Sequence, residues 1–430
     1  MKKGKSKDAK PSKLKNFFKK LGPGFITGAS DDDPSGIGTY SQTGAQFGYN
    51  QLWTALFSFP FMTAIQEMCG RIGIVTGKGL AGVIKKHYSK AILYFCVLIL
   101  LIANTVNIGA DLGAMAYSGQ LIFGIKFIYW LLAITAVTLL LEIFVSYRLY
   151  AKILKYFTFS LFSYLVVAFL VKQDWSTILF STFIPHVSFT KEYLFNIVAI
   201  LGTTISPYLF FWQTSEEVEE EVEAKELREM GNGTPKFAPS RIKDMRTDTI
   251  VGMFFSNLIM FFIIVTTAST LGAHGITDIQ TADQAAQALR PLAGDLTYLL
   301  FAVGIIGTGL LAVPVLAGSA SYALAETFNL KEGLYRKFKQ AHGFYGIITL
   351  ATILGLIINF TSIPPFKILY YTAILNGLVA PPLMIMIMFI SNNKKILGNY
   401  TNKRISNILG WSITGIMILC AIALMISLII

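Results

Sequence analysis

Eleven apolar stretches, each long enough to cross a lipid bilayer as a helix, constrain the fold of this chain more than any other feature of its sequence. Roughly 20 apolar residues in a helix span the hydrocarbon core of a membrane. We therefore predict an all-α integral membrane protein with eleven transmembrane helices. The stretches cover approximately residues 22–49 (interrupted), 51–75, 94–121, 127–147, 153–171, 194–214, 248–272, 297–323, 343–360, 366–390 and 406–430.

The composition of the chain supports this prediction. Of its 430 residues, 54% are hydrophobic and only 14% are charged, whereas a soluble domain carries about 25% charged residues. These values exclude a soluble enzyme, a nucleic-acid-binding domain and a disordered chain. The three cysteines lie far apart in apolar stretches and the four histidines show no metal-ligand spacing, so we predict neither a disulfide framework nor a zinc site.

The basic residues are distributed unevenly between the two sides of the predicted membrane. If the N-terminus lies inside, the inner segments hold 30 lysines and arginines and the outer segments hold 5. Cytoplasmic loops of membrane proteins carry such an excess. We therefore predict a multi-pass protein of the plasma membrane, with a basic cytosolic tail at residues 1–20 and a C-terminus on the outer face.

An acidic segment at residues 216–229 lies within the predicted inner loop 215–247. Its sequence, EEVEEEVEAKELRE, is typical of a helix, and we interpret it as a solvated linker helix between the two halves of the protein. Nothing else in the sequence supports a role for this segment as a regulatory cation sensor.

Two of the apolar stretches contain residues that interrupt helices. In the first stretch, the sequence DDDPSG at residues 31–36 lies between the apolar segments 21–29 and 37–49. Proline lacks an N–H donor and glycine weakens a helix, so we predict a break inside this span. The sixth stretch contains the sequence SPY at residues 206–208 and is predicted to break there.

The two breaks fall in the first and the sixth spans, which are equivalent positions in two repeats of five spans. An odd number of spans in each repeat inverts the second repeat relative to the first. Paired interrupted helices indicate the substrate site of a transporter near the middle of the membrane. We assign the first inverted repeat to residues 21–172, the second to residues 194–390, and the eleventh span to residues 406–430.

Three adjacent carboxylates at the first break are costly within a membrane unless they are paired, hydrated or bound to a metal. Hard divalent cations prefer oxygen ligands, and a cation can satisfy the carbonyl oxygens that unwound backbone leaves free. Asp33, which flanks the kink, is the best candidate ligand. For Asp31 and Asp32 we favour capping of a half-helix or contact with an aqueous vestibule, with metal ligation as the secondary interpretation.

Few other polar residues lie within the spans. Glu67 and Arg71 are spaced to pair along one helix. Asn376 in the tenth span is either a neutral oxygen ligand or a partner in an interhelical hydrogen bond. Structural pairing is the favoured interpretation for three further carboxylates, Asp111, Glu142 and Glu326.

The chain resembles the Nramp family of divalent-metal transporters over approximately residues 20–390. The matching segments, in fitting order and spacing, are GFITGASDDDPSGIGTYSQTGAQFGY, RIGIVTGKGLAGVI, GTTISPYL, HGITDIQTADQAAQALRPLAG and GIIGTGLLAVPVLAGSASYALAE. The resemblance implies a LeuT-like fold of two inverted five-helix repeats, with broken first and sixth helices. An enzyme is not predicted, since the sequence contains no nucleotide loop, catalytic triad or cofactor motif.

Several residues depart from the pattern that this resemblance implies for the metal site. The family's first-span motif, DPGN, supplies an Asp and an Asn as ligands; here Asp33 is kept and Gly36 replaces the Asn. The sixth-span motif, MPH, supplies a Met sulfur as a ligand; here Ser206 and Tyr208 replace the Met and the His.

The resemblance also implies functional roles for residues in the third, sixth and tenth spans. Thr203 matches the small residue that offers its backbone carbonyl, and Asn376 matches the tenth-span Gln that approaches the ion. Asn104 and Asn107 match third-span acidic residues linked to proton movement. The implied metal site therefore comprises Asp33, Thr203, Ser206 and Asn376, with Gly36, Tyr208, Asp32 and Asp31 as secondary positions.

These replacements change the chemistry that the resemblance implies. A thioether favours transition metals over Mg²⁺ or Ca²⁺, so its loss leaves a site of oxygen ligands. A wider oxygen-lined site suits Mg²⁺, which keeps several of its waters. These features resemble the Nramp-related magnesium transporter (NRMT) branch, which is implied to carry Mg²⁺ and Mn²⁺ without proton coupling. We expect no permanently bound cofactor, no nucleic acid and no obligate protein partner, only the transported ions and the bilayer.

Two other functions stay open. The first is an ordinary proton-coupled Mn²⁺/Fe²⁺ importer of the same family, in which Asp111, one helical turn from Asn107, relays the proton. The second, less favoured, is a symporter of amino acids or other organic solutes with the same architecture. Such sites hold a substrate carboxylate at half-helix N-termini, and three aspartates at the first break would repel it.

Overall fold

A computed structural model describes residues 22–145, 159–361 and 363–429. Within these ranges the chain is helical, apart from loops and one isolated bridge between Glu229 and Asn232. The predicted basic tail at residues 1–20, the basic residues at positions 148–155 and the beginning of the fifth apolar stretch lie outside the described residues. Inner and outer denote the two sides that the charge distribution predicts.

The first half of the described chain contains the two short helices that result from the break in the first apolar stretch, followed by the helices of the second to fifth stretches. Its helices are α1 (Pro23–Asp31), α2 (Pro34–Phe47), α3 (Trp53–Thr76), α4 (Leu80–His87), α5 (Lys90–Phe123), α6 (Phe127–Phe144), α7 (Phe162–Leu170, after a 3₁₀ turn at Phe159–Leu161) and α8 (Trp175–Phe183).

The second half also begins with a broken span, and one-turn helices occupy its loops. Its main helices are α9 (Lys191–Thr204), α10 (Pro207–Glu223), α11 (Pro239–Thr270), α12 (Thr297–Phe328), α13 (His342–Ile358), α14 (Pro365–Asn392) and α15 (Arg404–Ile429). The short segments are α-helical at Ala282–Ala286, Arg290–Ala293 and Lys394–Leu397, and 3₁₀ at Gly272–His274, Gln287–Leu289, Gly294–Leu296, Phe338–Gln340 and Gly398–Tyr400.

Seven helical segments of the described chain are long and apolar enough to cross a membrane. They comprise α5, α6, α9 and α10 taken together across their break, α11, α12 with the short segments before it, α14 and α15. Helix α13 is apolar but has only 17 residues, and α1 and α2 are halves of an interrupted span. The predicted all-α membrane fold is confirmed, whereas the number of eleven spans stays a prediction.

Both predicted breaks are present, and the backbone shows how they form. After α1, Asp32 leaves the helical region (φ −82°, ψ 50°) and Asp33 is extended (φ −70°, ψ 172°). After α9, Ile205 (φ −119°, ψ 61°) and the extended Ser206 (φ −75°, ψ 132°) repeat the pattern. A proline follows each break at the first position of the next helix, where its missing N–H costs no helical hydrogen bond.

The half-helix α1 packs backbone to backbone against α11. A Cβ atom on Gly24 or Gly28 would collide with the backbone of α11, and Gly28 lies directly against Gly252. Small residues permit this close approach of two helices. The carboxylate of Asp248 on α11 adds a polar contact, because it accepts hydrogen bonds from the N–H groups of Gly24 (2.7 Å) and Phe25 (3.1 Å) at the beginning of α1.

The half-helix α9 makes the corresponding close contact with α14. A Cβ atom on Gly202 would lie 2.7 Å from Cα of Gly377 and even closer to the carbonyl oxygen of Ala373. Gly377 in turn lies against Val198. The end of α9 is therefore fixed against the part of α14 that carries Asn376.

Charged side chains at the inner side of the membrane form local pairs. As predicted, Arg71 pairs with Glu67 one turn earlier in α3, with an N–O distance of 3.1 Å. Glu67 also binds Arg246 at 2.7 Å. The predicted structural pairing of Glu326 is confirmed as well, because its carboxylate accepts a hydrogen bond of 2.8 Å from the N–H group of Gly82.

The acidic segment at residues 216–229 is not the solvated linker helix that the sequence predicts. Helix α10 continues to Glu223, so the beginning of the acidic segment extends the second half of the sixth span. The loop before α11 covers only residues 224–238 instead of 215–247. The side chains of Glu217, Glu219 and Glu221 are buried.

Backbone amides stabilise the buried carboxylate of Glu219. The carboxylate of Glu219 accepts hydrogen bonds from the hydroxyl group of Tyr322 and from the N–H groups of Leu334 and Tyr335. A buried carboxylate is tolerated when such donors satisfy it. The donors lie more than a hundred positions away in sequence, so the charge pattern of the acidic segment alone could not reveal them.

Candidate metal-binding site

Asp33 is the N-cap of α2, at the break of the first span. Its Oδ1 atom accepts hydrogen bonds from the N–H group of Gly36 (2.8 Å) and from the hydroxyl group of Ser35 (2.6 Å). Aspartate is among the residues most favoured at this position, because it satisfies a free N–H group of the first helical turn. The side chain is 1% exposed, so the capping bonds fix a buried carboxylate in one orientation.

The third span contacts the same carboxylate through an amide group. Nδ2 of Asn107 on α5 donates a hydrogen bond of 3.2 Å to Oδ2 of Asp33. Oδ1 of Asn107 is buried and has no hydrogen-bond partner among the described residues. Asn107, which the resemblance places on a lost proton route, is therefore part of the surroundings of Asp33.

The break of the sixth span faces the break of the first. The hydroxyl oxygen of Thr203 would lie 3.4 Å from a Cβ atom on Gly36, and it has no hydrogen-bond partner in the described part of the chain. The hydroxyl group of Ser206 donates to the carbonyl oxygens of Thr203 (2.7 Å) and Gly202 (3.1 Å). Thr203, Ser206 and Gly36 thus lie together, as the sequence predicts for a site between the two breaks.

Two further residues of the predicted site have structural contacts of their own. The hydroxyl group of Tyr208 donates a hydrogen bond of 2.9 Å to the carbonyl oxygen of Ser30, which ties α10 to the end of α1. Asn376 is buried on α14, and its Nδ2 atom has no hydrogen-bond partner among the residues described. The interhelical hydrogen bond considered for Asn376 is therefore not formed by this nitrogen.

Asp31 and Asp32 are directed toward α11. The hydroxyl group of Ser256 lies 2.6 Å from Oδ2 of Asp31 and 3.4 Å from Oδ1 of Asp32. Both aspartates are buried, so neither faces an aqueous vestibule in this conformation. Ser256 carries no signal in the sequence that would have connected it to the first break.

The two remaining polar positions of α5 differ in their surroundings. The side chain of Asn104 donates hydrogen bonds to the carbonyl oxygen of Leu316 (2.9 Å) and to Ser319 (3.3 Å), both on α12. Asp111 is 0% exposed, and neither carboxylate oxygen has a hydrogen-bond partner within the described ranges. The structural pairing predicted for Asp111 is thus not found there, and the same holds for Glu142.

One cavity lies on the outer side of the breaks and another on the inner side. The outer cavity, of about 150 Å³, is lined by Gln42 and by residues at the beginning of α14. Gln42 also holds the outer loop against α2, because it binds the carbonyl oxygen of Thr277 and the N–H group of Ile279. The inner cavity, of about 380 Å³, is lined by carboxylates that include Glu217 and Asp248. An acidic inner cavity favours cations over anions.

The arrangement at the breaks suits a cation with oxygen ligands. Asp33 is a buried carboxylate, and charges attract more strongly in a low-dielectric interior than in water. The carbonyl oxygens of Gly202 and Thr203 lie at the C-terminal end of α9, where the helix dipole is negative. Within the described ranges, no group of three or more His, Cys, Asp or Glu side chains could hold a metal ion. A site with one carboxylate and otherwise neutral oxygen ligands binds a divalent cation weakly enough for the ion to be released again, as transport requires.

Comparisons with known proteins agree with these features. A family model described as "Nramp: Natural resistance-associated macrophage protein-like" matches residues 24–427. The divalent metal cation transporter MntH of Klebsiella pneumoniae is 25% identical over 406 residues, which cover 93% of this chain and 91% of the relative. MntH of Clostridium acetobutylicum is 25% identical over 440 residues, with coverages of 96% and 91%.

Solved structures share the fold at lower sequence identity. A crystal structure of the Eremococcus coleocola manganese transporter, in complex with an aromatic bis-isothiourea compound, aligns with a TM-score of 0.76 and 17% identity over 98% of this chain and 89% of that one. Mhp1, a nucleobase-cation-symport-1 family transporter, aligns with a TM-score of 0.54 and 12% identity, covering 95% and 91% of the two chains. At these identities the similarity concerns the fold alone.

Proposed function

Because the chain belongs to the Nramp family, whose members are transporters and not enzymes, we propose that it imports Mg²⁺ and Mn²⁺ across the plasma membrane without moving protons. The observation that carries this proposal is the chemistry of the paired breaks. Asp33 accepts a hydrogen bond from the amide of Asn107, and the hydroxyl of Thr203, whose carbonyl group binds Ser206, lies beside Gly36 in the same turn as Asp33. Each of these atoms is an oxygen or nitrogen, and position 206 lacks the sulfur of the family pattern.

The preference for Mg²⁺ rests on ligand type. Hard cations bind oxygen, whereas a thioether selects softer metals. A Cβ atom on Gly36 would lie 3.2 Å from the carbonyl oxygen of Asp31 and 3.4 Å from the hydroxyl oxygen of Thr203. These contacts are tighter than ordinary ones, so Gly36 lets the two breaks approach closely, and the asparagine of the family pattern would not fit here without a shift of its neighbours. A Mg²⁺ ion that keeps several waters therefore requires the two breaks to move apart from this arrangement.

Transport of Mn²⁺ has support from the relatives. MntH of Klebsiella pneumoniae is named as a divalent metal cation transporter, and the Eremococcus coleocola protein as a manganese transporter. Mn²⁺ also accepts carboxylate, carbonyl and water ligands. An oxygen site without sulfur therefore admits both ions, which is why we propose the pair and not Mg²⁺ alone.

The absence of proton coupling is proposed from the residues that replace the family's titratable groups. Asn104 and Asn107 occupy the third-span positions, and Tyr208 occupies the position of the histidine. Neither asparagine nor tyrosine exchanges protons readily near neutral pH. The membrane potential supplies a sufficient driving force, since about 100 mV is worth about 2.3 kcal/mol for each charge that moves inward.

A proton-coupled Mn²⁺/Fe²⁺ importer is the second candidate, and one observation favours it. The buried carboxylate of Asp111 lacks a hydrogen-bond partner in the described part of the chain. A carboxylate without a fixed partner is able to take up and release a proton during the transport cycle. A symporter of organic solutes is disfavoured, because the buried Asp33 would repel a substrate carboxylate.

Ion uptake and internal pH, followed together in proteoliposomes, test the proposal. We expect Mg²⁺ and Mn²⁺ uptake driven by an inside-negative potential, with no change in the signal of a trapped pH-sensitive dye. Vesicles with the Asp33→Ala variant give the background, and a protonophore verifies the dye response. Acidification that scales with metal uptake and is absent from the variant would establish the proton-coupled alternative.

A further inference from the structure

Three buried oxygens of α5, on residues of one helical face, have no hydrogen-bond partner at bonding distance among the residues that the structure describes. They are Oδ1 of Asn107 and both carboxylate oxygens of Asp111. Residues four positions apart are neighbours on a helical surface, and both side chains are 0% exposed. An uncompensated charge on a buried carboxylate is destabilising, and a cation bound beside Asp33 would compensate the carboxylate of Asp111 and satisfy the free oxygen of Asn107.

These oxygens lie beside the first break. Asn107 is hydrogen-bonded to Asp33 through its Nδ2 atom, which leaves its oxygen free. Asp111 lies within electrostatic range of Asp33, and the backbone of Ser35, in the first turn of α2, is near enough to stabilise its carboxylate in part. Tyr208 also lies within electrostatic range of the carboxylates of Asp33, Asp111 and Asp31. Acidic groups therefore surround this position, and Asp33 is the charged residue that acts on Asp111 within the described part of the chain.

The position of Asp111 along the helix places it on the outer side of Asp33. Helix α5 runs from Lys90 at the predicted inner side to Phe123 at the outer side. Four residues of a helix advance about 6 Å. Asp111 is therefore one helical turn nearer to the outer side than Asn107, and Asp33 is held at the level of Asn107.

We propose that the carboxylate of Asp111 and Oδ1 of Asn107 form a second divalent-cation position on the outer side of Asp33. An ion from outside occupies this position first and then moves to Asp33. Because the two positions are about one helical turn apart, one divalent ion occupies them alternately and compensates the two carboxylates in turn. This inference rests on the proposed function, which it extends by a step of ion capture.

Uptake kinetics of Asp111→Asn in proteoliposomes test the capture step. We expect the KM for external Mg²⁺ and Mn²⁺ to rise by about 10- to 100-fold, the range that loss of a supporting group causes at metal sites, with a smaller change in kcat. Glu142→Gln is the matched control, since it also converts a buried carboxyl group without a described partner into an amide, near the inner end of α6. Its KM should equal that of the wild type.

Diffraction from crystals of the Asp33→Asn variant soaked with Mn²⁺ tests the position itself and does not depend on the folding of the Asp111 variant. We expect anomalous Mn²⁺ density beside Asn107 and Asp111. Absence of this density, or a wild-type KM for Asp111→Asn, would overturn the second position. If the wild-type protein transports no divalent cation, the proposed function itself is wrong. If the wild-type protein transports these ions and Asp111→Asn leaves the KM unchanged, only the second position is wrong.

Discussion

Asp33→Asn is expected to abolish saturable uptake of Mg²⁺ and Mn²⁺, as is Asp33→Ala, while the protein still folds. The remaining atoms between the breaks are neutral, so the cation loses the charge that compensates it in a buried setting. Removal of one partner from a buried ion pair costs roughly 3–5 kcal/mol, which corresponds to a loss of affinity of more than about a hundredfold. Asparagine caps helices as well as aspartate does, so the asparagine variant keeps the beginning of α2 intact.

Asp174→Asn provides the matched control for this experiment. Asp174 is also the N-cap of a helix, α8, and accepts hydrogen bonds from the N–H groups of Ser176 and Thr177. Hydrogen bonds from Ser176 and Thr177 lower the pKa of its carboxyl group to about 2, so Asp174 is charged at neutral pH. It lies in the exposed loop between α7 and α8, far along the chain from the breaks. Initial uptake rates of ⁵⁴Mn²⁺ at several concentrations compare the variants, and wild-type uptake by Asp33→Asn would refute the role of Asp33.

Ser206→Met is expected to shift selectivity from Mg²⁺ toward Mn²⁺ and other transition metals. The substitution introduces a soft thioether between the breaks and removes the hydroxyl group that binds the carbonyl oxygens of Gly202 and Thr203. We expect the ratio of Mn²⁺ to Mg²⁺ uptake to rise by about tenfold, equivalent to about 1.4 kcal/mol. Competition of unlabelled Mg²⁺ against ⁵⁴Mn²⁺ uptake measures this ratio.

Two control variants separate the contributions of sulfur, volume and hydrogen bonding at this position. Ser206→Leu fills a similar volume without sulfur, and Ser206→Ala removes the hydroxyl group without filling the site. If the leucine variant reproduces the shift, volume determines the selectivity. An unchanged ratio in the methionine variant would show that position 206 does not face the ion.

The broken helices were predictable from the sequence because proline acts locally. The prolines that follow Asp33 and Ser206 cannot continue a preceding helix, and apolar residues on both sides show that the chain stays in the membrane. The meeting of the two breaks also follows from their equivalent positions in the repeats. These predictions required no knowledge of distant contacts.

The partners of individual side chains could not be predicted in this way. Asp31 and Asp32 contact Ser256, which lies more than 200 positions away and belongs to an ordinary apolar helix. Asn107 was identified through the family pattern, but its hydrogen bond to Asp33 depends on how α5 packs against α2. The burial of Glu219 likewise depends on backbone amides from a distant loop. Charge and spacing determine which residues are unusual, whereas packing determines what each of them binds.

The contact between α1 and Asp248 has a consequence for the speed of transport if α1 moves during the transport cycle. Any movement that swings α1 away from α11 breaks the hydrogen bonds from Gly24 and Phe25 and exposes their N–H groups. If such a movement accompanies release of the ion, the activation barrier includes the loss of these bonds, although Asp248 belongs to neither break. Substitutions around Asp248 then change the turnover rate, and substitutions around Asp33 change ion selectivity. Because the two groups of residues are separate, each property can change without the other.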